Sequence, residues 1–469
     1  MLPANKTKIV CTIGPASETL EVQEELLRAG MNIARLNFSH GDFAWHKRAI
    51  ESLREASRNT GHALTIMADL PGPKIRLGAF GEEPVRLEQG DVFTLTTDDI
   101  LGNAERASVS FERLPEVVHP GDVLFLNDGT VQLLVEEVEG ANVRCRSQGK
   151  GELMSHKGLN LPGINLGISA FTSRDAECLG FAMANGVDAV SQSFVVSAAD
   201  VKAVRIEAER LGHRPFIIAK IERAGALSSI EEILEAADGI MVARGDLGVE
   251  TPIERIALVQ KELTRTAKRF GKPVITATQM LASMVNHHRP TRAEATDVAN
   301  AILDGTDCVM LSEESAMGRF PVEAAGTLAR IAVATEPYRS RRVEGTWRDQ
   351  EVPLVDAISR NVEHTVADLG AVAVVVPTVT GHTARMVSRF MLPVWIAAVS
   401  PEESTCQNLQ FSYGVQCTHQ REHPDCWKPF AQSLVKDQGL ERGLVVLTEG
   451  PSKDNPDANH RVEIIDLRV

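Results

Sequence analysis

Lys220 and Glu222 stand two residues apart at the end of the apolar run FIIAKIE, which begins at Phe216. In a strand, period-two alternation turns both side chains to the same side. An inward-facing ammonium and carboxylate are tolerable only at a wet end, where partners compensate their burial. Asp246 lies at the end of the next apolar run, GIMVARGD, and supplies a second carboxylate. Two carboxylates from neighbouring strands, leaving positions for water and a substrate oxygen, suit Mg2+ or Mn2+ better than zinc. The alternative is a structural Lys/Glu/Asp ion network.

Other residues add to this chemistry. In Ala243-Arg244-Gly245-Asp246-Leu247-Gly248, two glycines surround a strand-to-helix turn, so backbone N–H groups can approach a carboxylate or phosphate. Arg35, just before Asn37 and Ser39, offers a fork suited to phosphate. Thr278 carries a hydroxyl able to pass a proton to a carbon centre, or is an ordinary strand-end threonine. Asp69 is either a cation ligand or an anchor for a hinge.

These residues need a scaffold that gathers strand ends. Eight short apolar runs, starting at Lys8, Met31, Ala63, Val187, Phe216, Gly239, Pro273 and Cys308, read as parallel strands buried on both faces. Eight of them, spaced by helical stretches, predict a (β/α)8 barrel. Arg35, Asn37, Ser39, Asp69, Lys220, Glu222, Arg244, Asp246, Thr278 and Glu314 would then converge at its C-terminal mouth. Capping boxes at Thr251–Glu254 and Thr291–Glu294, with Gly305 as a stop, predict helix boundaries.

The helical rhythm stops between the third and fourth runs, where turn signals at Gln89-Gly90, Pro120-Gly121 and Glu139-Gly140 separate alternating segments. The reading is a barrel from 1–70 and 169–340, an inserted β domain at 71–168, and an α/β doubly wound domain at 350–469. PGP at 71–73 and LPG at 161–163 suit a hinge, making the insertion a lid that excludes water or, alternatively, a rigid decoration.

Composition narrows the partners. A formal charge of -14 argues against nucleic acid and anionic membranes, so an anionic substrate must be met by local Arg, Lys or metal. Seven scattered cysteines, without a CxxC pair, read as free thiols in a reducing compartment. With no leader pattern and no membrane-length apolar run, the expectation is a soluble cytoplasmic protein.

KTKIVCTIGPAS from Lys6, MNIARLNFSHG from Met31, IAKIE from Ile218, MVARGDLGVE from Met241, TATQMLASM from Thr276 and RPTRAEATDVANA from Arg289 together resemble the signature segments of the pyruvate kinase family. The resemblance implies phosphoryl transfer from phosphoenolpyruvate to ADP, in a barrel with a β lid and a C-terminal regulatory domain. It implies Mg2+ on Glu222 and Asp246, Lys220 neutralising charge on the phosphoryl group and enolate, and Thr278 on the protonation path. Backbone N–H groups from Ala243 and Arg244 through Gly245 to Asp246 would bind the substrate carboxylate. Arg35, Arg76 and Lys157 would grip phosphates, Asn37 and His40 would lie near the nucleotide, and Asp128 would reach the nucleotide-bound metal through water. A homotetramer follows from the resemblance alone. Two competing readings are a phosphoenolpyruvate/pyruvate barrel that makes or breaks C–C bonds, which has no need of a nucleotide-gripping lid, and a metabolite sensor without activity.

Several departures from the family pattern carry expectations. Where many members carry DTKGPE and need K+, this chain has DLPGPK, so the Lys74 ammonium is expected to replace the K+ charge near Asn37, Ser39, Asp69 and Leu70. The SGETAKG segment becomes SEESAMG, and Glu313 and Met317 are expected to tune the rim. Thr378, Thr380, Gly381, His382 and Thr383 form a hydroxyl-rich turn able to cradle an effector phosphate. The closing loop GPSKDNPDANH at 450–460 disfavours fructose 1,6-bisphosphate and favours a sugar monophosphate or AMP.

Overall fold

The structure is a computed structural model describing residues 2–127, 129–339, 353–424, 426–451 and 459–468. The eight apolar runs become β1 (Lys8–Thr12), β2 (Met31–Asn37), β3 (Thr65–Leu70), β4 (Ala189–Gln192), β5 (Phe216–Ile221), β6 (Gly239–Ala243), β7 (Val274–Ala277) and β8 (Cys308–Leu311). They close into one barrel in the order β1-β8-β7-β6-β5-β4-β3-β2. Inward residues such as Val10, Ile33, Met67, Ile218, Met241 and Ile275 fill the interior. Outward residues such as Ile9, Leu36, Ile66, Val190 and Val242 pack beneath the helical ring. Because both faces are covered, the runs stay apolar until they reach the mouth.

The Thr291/Glu294 capping box opens the helix Arg292–Leu303, and Gly305 follows its end with φ +99°. The box expected at Thr251–Glu254 does not form. Thr251 closes a short helix, Arg244–Glu250, and a tight turn at Ile253–Arg255 precedes the long helix Ile256–Arg269. With that tighter turn after Pro252, Thr251 does not open a helix, and among the described residues its hydroxyl has no hydrogen-bond partner.

The insertion builds a six-stranded sheet and a two-stranded sheet around its own core, which includes Phe93, Leu95, Leu124, Leu126 and Leu133. Val131–Glu139 and Asn142–Ser147 form the expected hairpin across Gly140. Gln89-Gly90 joins two sheets instead of making a hairpin: Val85–Leu87 pairs with Gly151–Leu153, whereas Val92–Thr96 pairs with Asn142–Ser147. The Gly90 N–H bonds to Ser147 O at 2.8 Å, which fixes that departure.

The C-terminal part forms a five-stranded sheet from β9 (Ala373–Pro377), β10 (Trp395–Ser400), β11 (Val415–His419), β12 (Leu444–Glu449) and β13 (Arg461–Asp466), in the order β11-β10-β9-β12-β13. All neighbours are parallel except β13, which runs antiparallel at the edge. This part closes the lower end of the barrel, where Phe411 stacks on Phe216 with ring centroids 5.1 Å apart. Among the described residues, no helix is long and apolar enough to cross a membrane.

Candidate active site

Four neighbouring strand ends, β2 to β5, converge on Asp69. Arg35 on β2 donates from Nε to Asp69 Oδ2 at 2.8 Å and again from Nη2, while its Nη1 reaches Thr12 Oγ1 at 2.9 Å. Ser191 on β4 donates to Asp69 Oδ1 at 2.7 Å. Lys220 Nζ lies 3.2 Å from Asp69 Oδ1 and 2.9 Å from Glu222 Oε1, and donates to Ser193 Oγ at 2.6 Å. The period-two expectation for Lys220 and Glu222 is thus met in the contact between their charged ends.

This cluster is almost dry, with Asp69, Lys220 and Glu222 all buried. Burial pushes Lys220 down, but Asp69 and Glu222 outweigh it and hold the ammonium above its ordinary range. Burial pushes Asp69 up, but Lys220 and Arg35 hold its carboxyl below its ordinary value. For Glu222 burial wins: its carboxyl is raised despite Lys220, and Asp246 pushes it further up. The second Glu222 oxygen accepts the Phe194 N–H at 2.8 Å. Asp246 lies in the first turn of the helix that leaves β6.

Thr278 follows β7 with φ +69°, and Gln279 has φ +54°. A β-branched residue in that region is strained and persists only where its surroundings enforce it. Here Thr278 Oγ1 accepts the Gly245 N–H at 2.8 Å and donates to Ala277 O at 2.7 Å. The hydroxyl is thereby tied to the glycine turn beside Asp246.

Two expected members of the mouth turn their side chains elsewhere. The Arg244 guanidinium binds Asp297 Oδ1 at 2.7 Å, Thr278 O at 2.9 Å and Ala277 O at 3.2 Å, so it braces the β7 loop. Glu314 is buried and accepts the Leu281 N–H at 3.0 Å and the Ser312 N–H at 2.7 Å. Its carboxylate satisfies amides in the turns that follow β7 and β8. Glu313 lies beside it in the short helix Glu313–Ala316, and the Met317 side chain is exposed.

Ser191 and Ser193 belong to the same cluster without carrying a charge that would mark them in sequence. Their two-residue spacing in VDAVSQSF is the same signal that marked Lys220 and Glu222, carried by uncharged side chains. Asn37 Oδ1 accepts the Ser39 N–H at 3.1 Å, and Leu70 O accepts from Ser193 Oγ at 2.7 Å.

The insertion brings cations to the same mouth. Burial, then Arg76, Lys74 and Arg35, hold the His40 imidazole below its ordinary value. Arg76 donates to His156 O at 2.9 Å, and Lys157 O accepts the Leu77 N–H at 2.9 Å, so the two cationic segments are paired. A Cβ on Gly129 would lie 3.3 Å from Val249, which brings the insertion's loop against the β6 helix. Asp128, next to it, lies outside the described residues. Among the described residues no three His, Cys, Asp or Glu side chains group as metal ligands, so Glu222 and Asp246 stand as a pair.

In the C-terminal sheet domain, the Gly381 N–H bonds to Thr378 Oγ1 at 3.0 Å, and Thr380 O accepts from Arg385 at 3.0 Å. Thr383 lies in the first turn of the helix His382–Ser388. Burial, then Arg385, Lys272 and Arg389, hold the His382 imidazole low. Residues 452–458 of the closing loop lie outside the described residues.

Residues 4–325 match the family model for the pyruvate kinase barrel domain, and 356–464 the model for the pyruvate kinase alpha/beta domain. A pyruvate kinase from Thermococcus litoralis is 46% identical over 463 residues, covering 96% of both chains. One from Geobacillus stearothermophilus is 42% identical over 456 residues, covering 95% of this chain and 77% of the relative. The crystal structure of a pyruvate kinase from Cryptosporidium parvum superposes with a TM-score of 0.92 at 33% identity, covering 99% of this chain and 96% of that one. Matches that span both the barrel and the C-terminal sheet assign this chain to the pyruvate kinase family of phosphotransferases.

Proposed function

We propose that this chain transfers the phosphoryl group of phosphoenolpyruvate to ADP, giving pyruvate and ATP, with Mg2+ or Mn2+ held by Glu222 and Asp246. The observation that carries the reading is the buried Lys220 ammonium between Asp69 and Glu222, with Asp246 in the first turn of the helix after the next strand. The donor set fits a hard dication: two carboxylates repel one another, and too few protein ligands are present to exclude water and substrate oxygens. Bound there, the ion would neutralise charge on the pyruvyl and phosphoryl oxygens.

Lys220 keeps its proton and presents a fixed positive charge to the phosphoryl group and to the developing enolate oxygen. Arg35, oriented by Asp69 and Thr12, holds phosphate. Backbone N–H groups from Ala243 to Asp246 orient the substrate carboxylate, and the Thr278 hydroxyl serves the path that protonates the enolate. Arg76 and Lys157 grip nucleotide phosphates from the insertion, with Asn37 and His40 below them. Closure of the insertion as a lid brings these cations in and excludes water that would hydrolyse the donor. The cations on the insertion favour this reading over C–C bond chemistry.

Two finer readings complete the proposal. Activity is independent of K+, because Arg35, Ser191 and Lys220 already engage Asp69, and the Lys74 charge falls on the same mouth as His40. The Thr378–Thr383 turn takes a monophosphorylated sugar or AMP as effector, supported by its hydroxyls and by Arg385 behind it. The chain works in the cytoplasm as a homotetramer, which light scattering tests.

ADP-dependent pyruvate formation, coupled to lactate dehydrogenase and run with and without Mg2+, is the direct assay. The expected result is turnover only with the ion present. Pyruvate release that ignores ADP would sink the assignment. A large saturable response to K+ would refute the cation reading, and activation curves unchanged by Thr380→Glu would remove the effector site.

A further inference from the structure

The lower end of the barrel meets the C-terminal sheet domain at a corner where cations outnumber acids. Lys272, just before β7, donates from Nζ to Ala237 O at 2.6 Å, which places its ammonium beside Asp238. Arg385, on the helix His382–Ser388 of the other domain, donates from Nη2 to Thr380 O at 3.0 Å. Its guanidinium lies 5.8 Å from the centre of the Phe216 ring in the barrel floor. Among the described residues neither Lys272 nor Arg385 forms an ion pair.

The acids around them are committed. Asp238 is paired with Arg205 at 3.0 Å and accepts the Ile217 N–H at 2.9 Å. Asp307 is held by Lys268 and two amides, and Asp356 by Arg389. Arg205, Lys268 and Arg389 thus take up these carboxylates, and Lys272 and Arg385 are left facing one another.

A cleft of about 10 Å³, lined in part by Lys272, Arg385 and Ser412, lies in this corner. That is room for one water or one monatomic ion, and it excludes phosphate. Ser412 points independently to a ligand: it is 1% exposed, and among the described residues its hydroxyl has no hydrogen-bond partner. A buried hydroxyl left without a partner is costly. The like charges cannot relieve one another by moving apart, because Gly271, with φ +63°, packs so closely that a Cβ there would run into the Met386 sulfur on the helix of Arg385. Burial holds the Lys272 ammonium below its ordinary range, Asp238 opposes that shift, and Arg385 and Arg205 add to it. An anion at this point would meet two cations and one O–H donor, and would offset the repulsion between the two domains.

We propose that this cleft binds a monatomic anion of chloride size between Lys272, Arg385 and the Ser412 hydroxyl, and that the ion clamps the C-terminal sheet domain to the barrel. The site lies at the opposite end of the barrel from Lys220 and depends on neither the proposed reaction nor the proposed effector.

The first test is thermal unfolding of the full chain while sodium chloride replaces sodium gluconate at constant ionic strength. The wild type is expected to show a saturable rise in melting temperature, with bromide able to substitute for chloride. Lys272→Met and Ser412→Ala are each expected to raise the half-saturating chloride concentration about tenfold, the scale of one hydrogen bond to a charged group. Lys272→Arg keeps the charge and is expected to saturate near the wild-type concentration. The second test needs no variant: wild-type crystals soaked in sodium bromide are expected to show an anomalous peak in contact with Lys272, Arg385 and Ser412. A linear or absent chloride response, or saturation unchanged in both Lys272→Met and Ser412→Ala, overturns the site. Density there without the bromide signal, as for a buried water, overturns it too. A bromide peak without a saturable response marks an adventitious ion only and overturns the clamp.

Discussion

The two ends of the barrel each hold a buried lysine against an aspartate, yet the pairs behave in opposite ways. At the mouth, Lys220 faces two carboxylates and its pKa is raised. At the floor, Lys268 meets a single carboxylate among the described residues, Asp307 at 2.6 Å, with Met391 Sδ at 3.5 Å, and burial drives its pKa down. Nearby Lys8 donates to Val415 O at 2.7 Å and is pushed down to about 8. The floor is also saturated: Asp307 accepts the Val274 N–H at 2.9 Å and the Tyr413 N–H at 3.0 Å, tying the barrel to the C-terminal sheet domain. The mouth has three acids for one lysine: Asp69 and Glu222 touch Lys220, and Asp246 follows in the turn after β6. Burial of charge is therefore no sign of function by itself; the balance of partners decides.

Substitutions at the two ends should separate these roles. Lys220→Met is expected to lower kcat by about a thousandfold, the scale of one lost electrostatic donor, with substrate binding retained. Full activity in the coupled assay would break the comparison. Lys268→Met leaves Asp307 buried without its cation and is expected to cost about 3–5 kcal/mol in urea unfolding, with kcat/KM nearly unchanged. Glu222→Gln should abolish the stabilisation by Mg2+, read as a rise in melting temperature, which for the wild type is worth about 2.7 kcal/mol at a hundredfold excess over Kd. A surviving Mg2+ response would move the metal elsewhere.

Lys74→Met is expected to introduce activation by K+ of about tenfold, since one near-surface charge contact is worth ~1–4 kcal/mol. A K+ titration of both proteins reads this directly. The smallest effect is in pH. Lys8 is held at about 8 in the folded chain against an ordinary 10.5, so the unfolded chain binds more protons between those values. Wild-type stability relative to Lys8→Met should therefore rise from about pH 8 to 10.5. A flat difference across that window in thermal unfolding would remove the claim.

Most of the barrel and of the candidate site was legible because both depend on short-range regularities. Apolar runs mark strands buried on both faces, and two-residue spacing brings Lys220 and Glu222 together without reference to any other strand. Arg244 and Glu314 misled for a related reason: position at a strand end says where the backbone emerges, while the side chain follows whichever partner is nearest. For Arg244 those partners are Asp297 and two carbonyls on the β7 loop. For Glu314 they are two turn amides. Ser191 and Ser193 were overlooked because a hydroxyl gives no sign in sequence that it will face a charge.

The barrel, the inserted and C-terminal sheets, the family signature and the acid–lysine–acid set all follow from local pattern or residue type. How those charges are shared is set by packing between strands. Asp69 becomes the common partner of Arg35, Ser191 and Lys220 through contacts between β2, β3, β4 and β5. Pairing across distant segments fixes which groups are neutralised, and a one-dimensional pattern contains no distances between them.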